Sequence, residues 1–140
     1  MEELILKFPE QLTWEPVIVN KERLPFGIKE RDLIISGMGG SHLAADLLAL
    51  WQPGISLRIW SDYDLPLNLS GDELIILSSY SGNTEEVISG AYLAIEKKLP
   101  ILVIASGGRL IEMAEENHWP YIQLPAGWPP RQTIGFGLKA

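Results

Sequence analysis

The chain has 140 residues, the size of one ordinary domain. Hydrophobic residues make up 46% and charged ones 21%, so it carries enough apolar material for a core, which excludes a disordered chain. The 18 acidic against 11 basic residues give a formal charge of −7, and cysteine is absent; a nucleic-acid scaffold, disulfides, zinc–thiolate centres and thiol nucleophiles are excluded. One phosphate in a pocket stays possible, because backbone N–H groups bind anions without a basic surface. The opening Met1-Glu2-Glu3-Leu4 lacks the basic segment of a secretory signal. The most apolar stretch, 33–57, is broken by Asp46, Pro53 and glycines. The expectation is a soluble, cytoplasmic protein without membrane contact.

In chain order, residues 1–30 mix short helical pieces with Pro9, Pro16 and Pro25 and are expected to form a helical extension packing on the edge of the domain. Strands are predicted at Asp32–Ser36, Ile55–Trp60, Glu73–Ser78, Ile101–Ser106 and Tyr121–Leu124. The first, third and fourth are continuous Ile/Val/Leu runs, the pattern of parallel strands covered on both faces. Between them, helices are predicted at Ser41–Trp51, with Leu43, Leu47 and Leu50 on one face, and at Thr84–Lys97, with Val87, Ile88, Ala91, Leu93 and Ile95 inward. A shorter helix is predicted at Leu110–Asn117, and a loop from Trp60 to Asp72. Right-handed crossovers then give an α/β fold: a doubly wound, five-stranded parallel sheet in flavodoxin-like order 2-1-3-4-5, helices on both faces.

Ligands of such sheets bind beyond the carboxyl ends of the strands where the order reverses, here between the first and third predicted strands. Each is followed by an unusual loop. Gly37-Met38-Gly39-Gly40-Ser41 lets the backbone approach a ligand closely, or makes a tight strand-to-helix turn. A dinucleotide fingerprint fails on spacing, since His42 stands where its third glycine belongs. Ser79-Tyr80-Ser81-Gly82-Asn83-Thr84 sets three hydroxyls around a glycine before a helix, whose free N–H groups and dipole favour an anion; a serine-rich cap is the plain alternative. Neither loop holds Lys or Arg, so phosphate would be bound by dipoles and hydrogen bonds. The second loop also resembles the flavin-phosphate loop of flavodoxins, which follows the first strand rather than the third.

These two loops, with Ser106-Gly107-Gly108-Arg109-Leu110 and Pro129-Pro130-Arg131, resemble the sugar isomerase (SIS) domain, and in particular the amino-terminal half of bifunctional phosphoglucose/phosphomannose isomerases. The resemblance runs from about Arg31 to Arg131 and implies one SIS domain over 31–140. It implies a sugar phosphate gripped by Ser79, Ser81 and Thr84, the sugar beside Gly39, Gly40 and Ser41, and Arg131 supporting an enediolate in aldose–ketose isomerisation of hexose 6-phosphates. No metal or cofactor is implied. The chain departs from the family at His42, where a small residue is usual, and at Gly135 and Gly137, which weaken the helix expected after Arg131. In the family a second half supplies a catalytic glutamate and a histidine, and the expectation is that this half is absent. The base then comes from a missing or partner domain, or the chain is a non-catalytic phosphosugar-binding or regulatory module. Glu85, Glu86, His118, Asp62 and Asp64 are weaker base candidates that read as cap, helix-end and loop residues; Trp60, Trp119 and Trp128 read as core or interface anchors. A homodimer is expected, possibly with a separately encoded second half.

Overall fold

The computed structural model describes residues 6–140, apart from the Lys29 side chain; the first five residues, where the predicted extension begins, lie outside the described residues. Helix α1 (Phe8–Thr13) and strand β1 (Ile18–Val19) come first, followed by β2 (Leu33–Ser36), α2 (Leu43–Trp51) and β3 (Leu57–Trp60). Then come β4 (Leu74–Ser78), α3 (Glu85–Glu96), β5 (Ile101–Ala105), α4 (Gly108–Asn117), β6 (Tyr121–Gln123) and α5 (Ile134–Lys139). The sheet order is β1-β6-β5-β4-β2-β3. The five predicted strands form its parallel part in the predicted order.

The sheet has six strands, not five. The extra one comes from the segment expected to be only helical: Ile18 and Val19 pair antiparallel with Ile122 and Tyr121. β6 would otherwise leave a row of unpaired backbone groups at the edge, and the N-terminal segment covers it.

Burial explains the strand pattern. β4 is buried at every position. Ile75 and Leu77 face α3 and α4 and join Ile34, Val103 and Leu110 in the main core, while Leu74 and Ile76 face the opposite layer with Leu102. Each such buried aliphatic contributes about 1.5–3 kcal/mol relative to exposure. Before β4, the buried Glu73 carboxylate accepts the Ser70 and Gly71 N–H groups and the Ser70 hydroxyl. Burial opposes its charge, but these donors outweigh that effect and hold its pKa below the ordinary glutamate range.

The second layer holds α1, α2 and α5, and here α2 departs from expectation. Leu43, Leu47 and Leu50 do share a face, but it is the outer one: Leu50 is 80% and the adjacent Trp51 79% exposed. The inward face carries Ala44, Ala45 and Leu48, with Ala45 buried. Small side chains win it because α5 lies so close that a Cβ on Gly137 would stand 2.9 Å from the Ala44 Cβ. Gly135 is pressed as tightly against Gln11, whose side chain accepts the Gly135 N–H at 3.0 Å. The helix after Arg131 therefore forms despite its glycines, which serve helix–helix approach. In α3, Val87 and Ala91 are buried as predicted, but Ile95 is 41% exposed, its place taken by Gly90 and Ala94. Among the described residues, no helix is long and apolar enough to cross a membrane.

Candidate functional site

β2 and β4 run in parallel register, Ser36 beside Leu77, so the loops that leave them emerge side by side. The Tyr80 N–H donates to Ser41 Oγ at 3.2 Å, and the Ser78 hydroxyl donates to the Ser41 carbonyl at 2.8 Å. The glycine loop winds into a short turn, Gly39–His42, before α2. Gly39 takes a left-handed φ of 55°, with open space where a side chain would project.

The serine loop ends at the first turn of α3. No side chain caps that helix: Thr84 occupies the N-cap position with extended backbone, but its hydroxyl lies 2.7 Å from Ser79 Oγ. The first helical hydrogen bond runs from Ile88 to Thr84, which leaves the N–H groups of Glu85, Glu86 and Val87 without helical acceptors. Ser81 is exposed; its oxygen accepts the Asn83 N–H at 3.2 Å and lies 3.4 Å from Ser79 Oγ. Ser79 is only 1% exposed, and its oxygen accepts the Gly82 N–H at 3.1 Å and touches both other hydroxyls. The three predicted hydroxyls therefore converge, with Ser81 and Thr84 at the surface and Ser79 bracing them from beneath.

The third loop locks this arrangement. Gly82 (φ 72°) and Gly108 (φ 72°) pass so closely that a Cβ on either would collide with the other loop's backbone. The Gly82 carbonyl accepts the Leu110 N–H, and Asn83 Oδ1 accepts the Arg109 N–H at 2.9 Å, so the first turn of α4 is filled by protein. Sequence reasoning gave Asn83 no role, since its partner is 26 residues away. Arg109 itself turns outward to Glu112 and Glu116.

Arg131 lies in the turn Pro130–Gln132. It is exposed, and no ion pair engages it among the described residues. A Cβ on Gly40 would stand 3.1 Å from the Pro130 carbonyl and 3.5 Å from the Arg131 Cα, so the glycine loop supports this segment. His42 stays on its own helix, its Nδ1 2.7 Å from Asp46.

The weaker candidates take structural places. Asp64 braces the loop after β3 against Ser89, and His118 ends α4 with a left-handed φ of 54°. Glu85 accepts the Tyr63 hydroxyl at 3.3 Å; Glu86 and Glu85 together push the Tyr63 pKa up. Trp60 and Trp119 pack on the main core, and Trp128 meets Phe136 edge-on at 5.4 Å.

Solved structures share this architecture. The Vibrio vulnificus NanR protein complexed with ManNAc-6P matches with TM-score 0.63 over 98% of this chain and 56% of that one, at 18% identity. The tagatose-6-phosphate ketose/aldose isomerase of Escherichia coli gives 0.56 over 96% and 39%, at 19% identity. The fold is thus that of the sugar isomerase (SIS) domain. In sequence, the chain is similar to the bifunctional phosphoglucose/phosphomannose isomerases. It is 33% identical over 144 residues to the one from Caldicellulosiruptor bescii (99% of this chain, 42% of the relative) and 33% over 136 residues to the one from Aquifex aeolicus (94% and 41%). A D-glucosamine-6-phosphate 4-epimerase from Sulfolobus acidocaldarius is 34% identical over 107 residues (75% and 35%). No protein-family model matches the chain. The chain spans about two fifths of the length of the isomerases it matches.

Proposed function

We propose that this chain is the phosphate-gripping domain of a hexose 6-phosphate aldose–ketose isomerase, with residues 31–140 as one SIS domain and the preceding segment laid on its edge. The observation that carries this reading is the uncapped first turn of α3, faced by the Ser81 and Thr84 hydroxyls and flanked by Ser41. A phosphate there accepts from the free N–H groups and both hydroxyls, with the helix dipole favouring its charge. Ser79 aligns the two hydroxyls, Gly39 leaves space for the sugar, and Gly40 lets the Arg131 segment pack close beside it. This mode needs no lysine and suits an acidic chain.

Isomerisation moves a proton between C1 and C2 through a cis-enediolate, and so needs a base and a positive group for the developing oxyanion. Arg131 serves the second role. The base comes from elsewhere: Glu85 and Glu86 lie in the first turn of α3, and the nearest imidazole, His42, is held by Asp46. A second domain or a partner chain supplies it. A second reading, in which no base is needed, is a non-catalytic phosphosugar-binding or regulatory module; no base is placed at the site among the described residues. Calorimetric titration with glucose 6-phosphate, fructose 6-phosphate and inorganic phosphate, beside an isomerase assay of the isolated chain, tests both. Binding without turnover is expected. Absence of binding refutes the phosphosugar reading, and turnover by the chain alone refutes the external base.

Self-association belongs to the same reading. The outward stripe of Leu43, Leu47, Leu50 and Trp51, with Leu138 on α5, is an apolar face suited to a second copy or a second domain. Light scattering should report a dimer that Leu47→Glu with Leu50→Glu dissociates.

A further inference from the structure

Tyr80 belongs to the serine loop, yet its bonds reach each of the other segments around the site. Its N–H is held by Ser41 Oγ in the glycine loop. Its carbonyl accepts both the N–H (2.9 Å) and the hydroxyl (2.6 Å) of Ser106 in the third loop. The ring is buried with Ile122, Leu124 and Phe136. The hydroxyl donates to the Pro125 carbonyl at 2.8 Å and accepts the Trp128 N–H at 2.9 Å, which uses its single proton and one lone pair.

Only Pro129 and Pro130 separate Trp128 from Arg131. Proline rings fix φ, so this link is short and stiff. Beyond it, the Pro129 carbonyl accepts the Gln132 N–H and the Pro130 carbonyl accepts the Thr133 hydroxyl, both at 2.8 Å. The position of the Trp128 amide is thereby passed on to the Arg131 backbone, with Gly40 as its back wall.

We propose that the Tyr80 hydroxyl is a positioning group for Arg131: it ties the Pro125–Arg131 strap to the phosphate loop, so that the guanidinium stands over the sugar end of a ligand whose phosphate sits at α3. The inference rests on the phosphosugar reading above. It separates two parts of one site. Phosphate affinity belongs to α3 and its hydroxyls; recognition of the sugar belongs to a strap whose register Tyr80 sets.

The test compares wild type, Tyr80→Phe, Arg131→Ala and the double variant by calorimetric titration with fructose 6-phosphate and with inorganic phosphate. Phenylalanine keeps the ring and all three backbone bonds, so only the strap is released. Tyr80→Phe is expected to weaken the sugar phosphate by about three- to tenfold, the worth of an ordinary hydrogen bond, and inorganic phosphate by less than about twofold. The double variant should bind fructose 6-phosphate no more weakly than Arg131→Ala alone, because both changes remove the same contact. Pro129→Gly, which frees the link without touching Tyr80, should reproduce the selective loss and replaces Tyr80→Phe if that variant does not fold. Equal losses for both ligands, or losses that add in the double variant, overturn the role of Tyr80 and leave phosphate binding standing. A wild-type chain that binds neither ligand overturns both.

Discussion

Helices α3 and α4 both rise from glycine-containing loops at the carboxyl ends of adjacent parallel strands, and their first turns are treated in opposite ways. At α4 the protein supplies its own acceptors, the Gly82 carbonyl and the Asn83 side chain. At α3 no side chain caps the helix, and the Thr84 hydroxyl, at the cap position, lies against Ser79 Oγ instead. A third cradle of N–H groups, at Ser70 and Gly71, is filled by the Glu73 carboxylate. Of these three places, two satisfy their backbone donors internally and the start of α3 does not. In the proposed reading the open one takes an anion from outside, and the loop that caps α4 braces it.

The strongest way to break this comparison is Gly82→Ala. Its Cβ would collide with the Gly107 carbonyl, in a backbone conformation unfavourable to alanine, so the interlock must open. The expected cost is about 3 kcal/mol or more by chemical denaturation, with loss of phosphate binding. Ser81→Ala with Thr84→Ala should do the reverse. Stability changes by less than about 1 kcal/mol, while hydrogen bonds to a charged group worth about 1.5–3 kcal/mol each are lost, a fall in affinity of about a hundredfold or more in a phosphate titration. Asn83→Ala removes the acceptor at α4 and should cost about 1 kcal/mol, the usual worth of a cap, with affinity for phosphate little altered. A large loss of affinity there would mean that the two helix starts are not separable.

The smallest effect concerns Glu73. Its pKa is depressed in the folded state, so its carboxylate stabilises the fold above the unperturbed value, and that contribution disappears as pH falls through the folded value. Glu73→Gln keeps one acceptor oxygen. It should be destabilised by under about 1 kcal/mol at neutral pH. Denaturation curves of the two proteins should converge once the pH drops well below about 4.3.

Much of this was legible in the sequence. β2, β4 and β5 announce themselves because burial on both faces demands unbroken apolar runs, and the two loops stand out by composition. Three features did not, each because long-range packing overrides a local signal. Ile18–Val19 is a strand only because β6 offers an edge, and two residues carry no period of their own. In α2 the leucines outweigh the alanines in hydrophobicity, yet the close approach of α5 selects the alanines for the inner face. Gly135 and Gly137 weaken a helix in isolation, whereas here they are what lets it dock. At the site, Ser79, Ser81, Thr84 and Ser41 are gathered as the spacing suggests. The web around Tyr80 was invisible, since its hydroxyl bonds span 45 and 48 residues.

The pairing of β1 with β6 has a consequence for how the chain acquires its shape. Ile18 meets Ile122, and Gln11 bonds to residues more than 120 positions further on. On a ribosome the segment around β1 must wait until β6 and α5 have been made before it finds its seat, so this seam closes late, and loop-closure entropy slows the step relative to the neighbouring βαβ units.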